Sequence, residues 1–147
     1  MNKQMICTAA GAVGGFIASA FGGFDAAMIT LLIFMTADYI TGLLVAGVFH
    51  ASPKSETGAL ESKAGFKGLV RKGMMLLFVL IACRLDMILG VNYIRDAVCI
   101  AFIVNELISI VENGGLMGVP IPEPIMDAIE VLKKKGDDDG NNTGFLK

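Results

Sequence analysis

The sequence predicts an all-α integral membrane protein with three to four transmembrane helices and a short C-terminal amphipathic helix. Hydrophobic residues make up 54% of the 147-residue chain, and the mean hydropathy is +0.68. A soluble domain of this size would lack the polar surface to cover so apolar a core. Charged residues are 18% of the chain, and they are clustered rather than interspersed. Between the clusters lie four apolar runs, roughly 5–24, 26–49, 73–91 and 97–111.

Crossing the hydrocarbon takes about 20 helical residues. The first three runs meet that length, and the fourth does so by extending into "ENGGLMG". The first run also has features of a signal peptide, with "ASA" at 18–20 as a cleavage site. Its only early cation is Lys3 and its Gly-rich middle is weakly hydrophobic, so the reading favours retention. The turn "GGFD" is tiny, so the first two spans are expected to form a hairpin. Basic residues set the orientation. The 50–72 connection carries Lys54, Lys63, Lys67, Arg71 and Lys72, and the chain after the fourth run carries Lys133, Lys134 and Lys135. Only Arg95 lies between the third and fourth runs. Four spans with both termini in the cytoplasm put every basic cluster inside. Three spans, with the first run removed or surface-bound, leave the later segments where they were.

The 50–72 connection reads as a loop with a short amphipathic turn at the membrane surface. Pro120, Pro122 and Pro124 block a regular helix after the fourth run. From Pro124, Ile125, Ile129 and Leu132 recur at helical spacing. This gives a short amphipathic helix that is either surface-bound or solvated. The expected organisation is a transmembrane domain over 1–119, a proline segment and amphipathic helix over 120–135, and a polar, disordered tail over 136–147.

The first run has two ribbons of small residues four apart. One is Gly11, Gly15, Ser19 and Gly23; the other is Ala10, Gly14, Ala18 and Gly22. Such spacing lets helix backbones approach closely. The partner is either another copy, giving a homo-oligomer, or the second span of the same chain.

Polar groups also fall within or near the apolar runs: Asp38, Arg84, Asp86, Asn105, Glu106, Ser109, Glu112 and Asn113. Ionisable groups there are costly and face a protein interior, a partner charge or water. At about 100° per residue, Asn105, Glu106, Ser109, Glu112 and Asn113 share roughly a third of one helix circumference. That stripe suits a bundle interior or a wetted lumen. Asp38 is expected to pair with Arg84 or with the Arg71/Lys72 pair. The net charge of −2 gives no signature of nucleic-acid binding. Cys7, Cys83 and Cys99 are far apart in apolar runs and the one histidine is His50, so no metal and no cofactor is expected. No nucleophile–base constellation or phosphate loop accompanies the polar groups, which argues against an enzyme.

Four blocks carry a resemblance. They are "DYITGLLVAG" beginning at Asp38, "SKAGFKGLVRK" over 62–72, "RLD" over 84–86, and "NELISIVENGGLMGVPIP" over 105–122. In order and spacing they resemble the bacteriophage holin family that includes the clostridial toxin-secretion holins. The resemblance implies a small protein that accumulates in the bacterial cytoplasmic membrane, oligomerises, and opens the membrane at a set time. An endolysin then reaches the cell wall, or a toxin leaves, without direct contact being required. It also implies that Asp38 belongs to the family's pattern. An antiholin and a small channel or transporter subunit stand as the alternative functions. Met5, close behind Met1 with Lys3 between, is compatible with a second start.

Overall fold

In a computed structural model, residues 2–141 are described, and they form five α-helices with no strand among them. These are α1 (Lys3–Ala20), α2 (Ala26–Gly47), α3 (Ser62–Leu89), α4 (Ile94–Leu116) and α5 (Glu123–Asn141). One of them, α2, is long and apolar enough to cross a membrane by length and composition, with a mean hydropathy of 1.9.

Helix α4 is the hub, with α2, α3 and α5 packed around it. Met28, Leu31 and Met35 of α2 meet Met75 and Val79 of α3 and Cys99 and Ile103 of α4 in one apolar core. A smaller cluster joins Ile100 and Val104 of α4 to Ile129 of α5. The outward faces of α2 and the middle of α3 are largely apolar too: Ile33, Phe78 and Ile88 are 59%, 50% and 78% exposed, while Lys63, Lys67, Arg71 and Arg84 are the exposed cations of α3. Even the exposed hydroxyl of Thr36 is satisfied within its helix, donating to the Leu32 carbonyl at 2.8 Å.

One end of the bundle is fastened by acids and a single arginine. Asp25 caps α2, accepting from the Met28 N–H at 3.0 Å. Gly90 ends α3 in the left-handed region at φ 66°. The Asp86 carboxylate accepts from the N–H groups of Ile94 and Arg95, both at 2.9 Å, and so satisfies the first turn of α4. Arg95 then reaches back to the α1–α2 turn. Its Nε donates to the Phe21 carbonyl at 2.7 Å, and Nη2 to the Gly23 carbonyl at 2.9 Å. Its Nη1 pairs with Asp25 at 2.9 Å. Glycine is required in this corner: Gly22 has φ +77°, and a Cβ there would lie 3.1 Å from Cys83 Sγ.

Three expectations need correction. The first is the α1–α2 hairpin, because α1 buries none of its residues. A Cβ added at Gly11, Gly14 or Gly15 would meet nothing within 4 Å, so the small-residue ribbons do not pack on α2. The Arg95 clamp holds the turn but leaves the helix free. The second concerns 62–72, which is not a loop: α3 starts at Ser62. Gly65 and Gly68 weaken this helix intrinsically, but they admit the ring of Tyr39. Cβ atoms there would lie 3.6 Å from Tyr39 Oη and 3.9 Å from Tyr39 Cε2. The third is the C-terminal tail, since α5 runs on through Gly136 to Asn141. Gly136 is tolerated because it seats against Ile100, whose Cγ2 would be 3.5 Å from an added Cβ. The rest of the tail reading, 142–147, lies outside the described residues.

The hydrogen bond from Arg95 holds the Asp25 carboxyl below the usual carboxylate range, and the Met28 N–H adds to this. A lowered folded pKa stabilises above the unfolded value, near 3.9, and that contribution fades as pH falls through the folded pKa. Thermal unfolding of wild type and Asp25→Asn in detergent should therefore differ by a constant amount from about pH 7 to 5. The difference should shrink below about pH 4.

Candidate functional site

Three helices bring one charge each to a common point. Asp38 of α2 is 6% exposed and Glu106 of α4 is 2% exposed. Lys72 of α3 lies between them. Its Nζ is 2.7 Å from Asp38 Oδ2 and also bonds Glu106 Oε2. Asn113, two turns beyond Glu106 on α4, donates from Nδ2 to Thr41 Oγ1 at 2.8 Å and to Asp38 Oδ1 at 3.3 Å. Thr41 in turn donates to the Asp38 carbonyl at 3.1 Å. Each polar group buried here thus has a partner, as a low-dielectric site requires.

The cluster depends on the early start of α3. Only because α3 begins at Ser62 is Lys72 inside the helix and level with Asp38. Tyr39, lying over Gly65 and Gly68, sets the close approach of α2 and α3. Above the cluster is a cavity of about 350 Å³. Its floor includes Asp38, Lys72, Glu106 and Ser109, and its mouth includes Lys54, Lys67 and Arg71. Two carboxylates on one ammonium leave an excess negative charge, which these three cations surround. Among the described residues, no group of His, Cys, Asp and Glu is placed to hold a metal ion.

The α4 stripe divides. Glu106 and Asn113 turn inward to Lys72 and Asp38, and Ser109 and Asn105 border the cavity. Asn105 and Glu112 are exposed on the adjoining strip. Of the expected partners for Asp38, Lys72 is the one that reaches it. Arg84 is exposed and contacts Met87 Sδ at 3.4 Å instead. Asp86, in α3, serves the other end of the bundle, where it accepts from the first turn of α4. Lys63 is exposed on the first turn of α3. Arg95 was not among the sequence candidates, although it makes more polar contacts than any of them. The available signal was a lone cation between two apolar runs, facing the acid of "GGFD" across a second short turn.

The bacteriophage holin family model matches residues 15–134. The chain belongs to the bacteriophage holin family. A protein of Listeria innocua is 42% identical over 130 residues, covering 88% of this chain and 85% of that protein. A Clostridium perfringens protein encoded in the nagH 3′ region is 37% identical over 117 residues, 78% of this chain and 83% of its own length. A probable holin of Bacillus phage phi105 is 32% identical over 108 residues, 73% of this chain and 74% of that protein. No solved structure matches. The family match of this holin-family chain spans the whole charged cluster and both helix-end clamps, and it begins within α1.

Removing Lys72 leaves two buried carboxylates facing each other. Breaking a buried pair from one side costs about 3–5 kcal/mol. Lys72→Met should lower the unfolding midpoint in detergent markedly, and Asp38→Leu with Glu106→Leu added should recover most of the loss. A single Lys72→Met change without effect on the midpoint would show that the cluster does not hold the helices.

Proposed function

We propose that this chain is a holin. It inserts into the bacterial cytoplasmic membrane as three or four transmembrane helices, oligomerises, and permeabilises the membrane. That allows an endolysin, or an exported toxin, to leave the cytoplasm. One observation carries the reading: a holin-family chain in which the buried charges are neutralised inside the bundle while the outward faces of α1, α2 and the middle of α3 stay largely apolar. Such a bundle is tolerated by lipid while copies are few. No catalytic group is needed for this task.

In this reading α2, α3 and α4 cross the membrane, with the 48–61 loop on the cytoplasmic side beside the exposed Lys63, Lys67 and Arg71. The Asp25/Arg95 corner then lies at the outer face. Helix α1 either crosses as a fourth span or lies on the membrane. Its open ribbon of Gly11, Gly15, Ser19 and Gly23 is the contact for another copy, since none of the described helices covers it.

Induced expression in a bacterium is the direct test. Viability should fall and a cytoplasmic enzyme should leak, whereas an antiholin would delay leakage caused by a second lesion former and cause none itself. The topology has its own check. A cysteine replacing Ser62 should be shielded from an impermeant thiol reagent added to intact cells before leakage begins. Labelling at that stage would place the basic segment outside and overturn the arrangement.

A further inference from the structure

Helix α5 lies in an unexpected place. It runs antiparallel along α4 rather than away from it. Ile121 touches Gly114, Ile129 packs with Ile100 and Val104, and Gly136 seats on Ile100. At about 1.5 Å per residue, Ile100 is about 24 Å from the Leu116 end of α4. The docked end of α5 therefore reaches far along a helix that crosses a hydrocarbon layer about 30 Å thick.

The exposed surface of α5 is charged. Glu123, Asp127, Glu130 and the residues Lys133, Lys134 and Lys135 are all exposed, and so are Asp137 and Asp138. Lipid does not accept such a surface at that depth. The buried side is narrow: Ile129 is 5% exposed, with Leu132 and Gly136 half-covered beside it. The exposed α4 strip that carries Asn105 and Glu112 lies next to the α5 contact, so polar groups continue across both helices. The other outward faces, on α1, α2 and the middle of α3, are largely apolar. The described molecule therefore has one continuous polar wall, of about membrane depth; on α3 the exposed cations are Lys63, Lys67 and Arg71 at its start and Arg84 near its end, with an apolar surface between.

We infer that α5, docked on α4, lines the aqueous path of the assembled lesion, with Asn105 and Glu112 of α4 extending that lining. The inference rests on the holin reading above. It assigns the water-facing role to α5 and to the edge of the α4 stripe. Glu106 and Asn113 are excluded from it because Lys72, Asp38 and Thr41 occupy them. An α5 held at the membrane surface, away from α4, is the competing arrangement.

A reversible lock separates the two. In a Cys7→Ser background, Ile100→Cys with Gly136→Cys places two thiols across the α4–α5 contact, and Val104→Cys with Ile129→Cys forms a second pair. Each full-length protein is purified, oxidised in detergent, and reconstituted into liposomes holding a fluorescent dye, beside its reduced form and wild type. If α5 lines the path while docked, locked and reduced proteins release dye to within about twofold of each other. The chain contains no tryptophan, so Lys134→Trp in the locked protein supplies a single reporter. Its emission should be quenched by iodide and not by lipids brominated in their acyl chains. Silence of both locked proteins beside an active wild type overturns the inference and leaves the holin reading standing, as does quenching of the tryptophan by brominated lipid. A wild type that releases no dye removes the holin reading and the lining with it.

Discussion

Lys72 of α3 stands between Asp38 of α2 and Glu106 of α4, and it satisfies a carboxylate from each of its neighbours. In a low-dielectric interior, two carboxylates this close to each other would repel strongly. With the ammonium between them, the same charges hold three helices at one depth. Asn113 and Thr41 take up further acceptor sites on Asp38 and its backbone, so the cluster is closed on itself. The cost is rigidity of register. Sliding any of the three helices by one turn, about 5.4 Å, would strand a charge. Hydrophobic contacts along Met28, Leu31, Val79 and Cys99 could tolerate such slippage, because apolar side chains of similar size exchange places cheaply.

The Arg95 corner works differently. It is made largely from backbone acceptors and helix ends, and it fixes where turns occur rather than how helices are registered. Along α4 the two polar sites are about 16 Å apart, with the Met28/Val79/Cys99 core between them. A bundle pinned at two levels has little freedom to open from within. Any large rearrangement must therefore come from the parts outside the pins, which are α1, the 48–61 loop and α5.

Much of this was legible in the sequence. The apolar runs gave the helices and the apolar exterior, since a run's composition does not depend on what it packs against. The stripe on α4 could be read from its angular spacing. Its division into an inward pair and an outward pair could not, because that depends on where α2 and α3 sit. Asp38 was legible as a paired carboxylate, and Lys72 was among its named partners. The choice between Lys72 and Arg84 turned on the start of α3. Gly65 and Gly68 argued for a loop on propensity alone, and the ring of Tyr39 reversed that argument through a tertiary contact. Arg95 stayed hidden for the same reason: its acceptors are mostly carbonyls of a distant turn, and carbonyls leave no mark in a sequence.

The unpacked state of α1 follows from these constraints. Within water an exposed helix with Val13, Phe16 and Ile17 on its surface would be driven onto the bundle. Within lipid that drive vanishes, because acyl chains solvate Phe and Val as well as another helix does. Only close backbone packing then favours association, and the Gly11/Gly15 ribbon offers it to any helix that presents a matching surface. Inside the chain no such surface is in reach, since the clamp at Gly22 and Gly23 directs α1 away from α2. In the proposed assembly a contact between chains would be governed by mass action, growing with the number of copies in the membrane. In the proposed holin, a helix left free by its own fold, in a solvent that does not force it to collapse, would thus make assembly depend on accumulated protein rather than on folding.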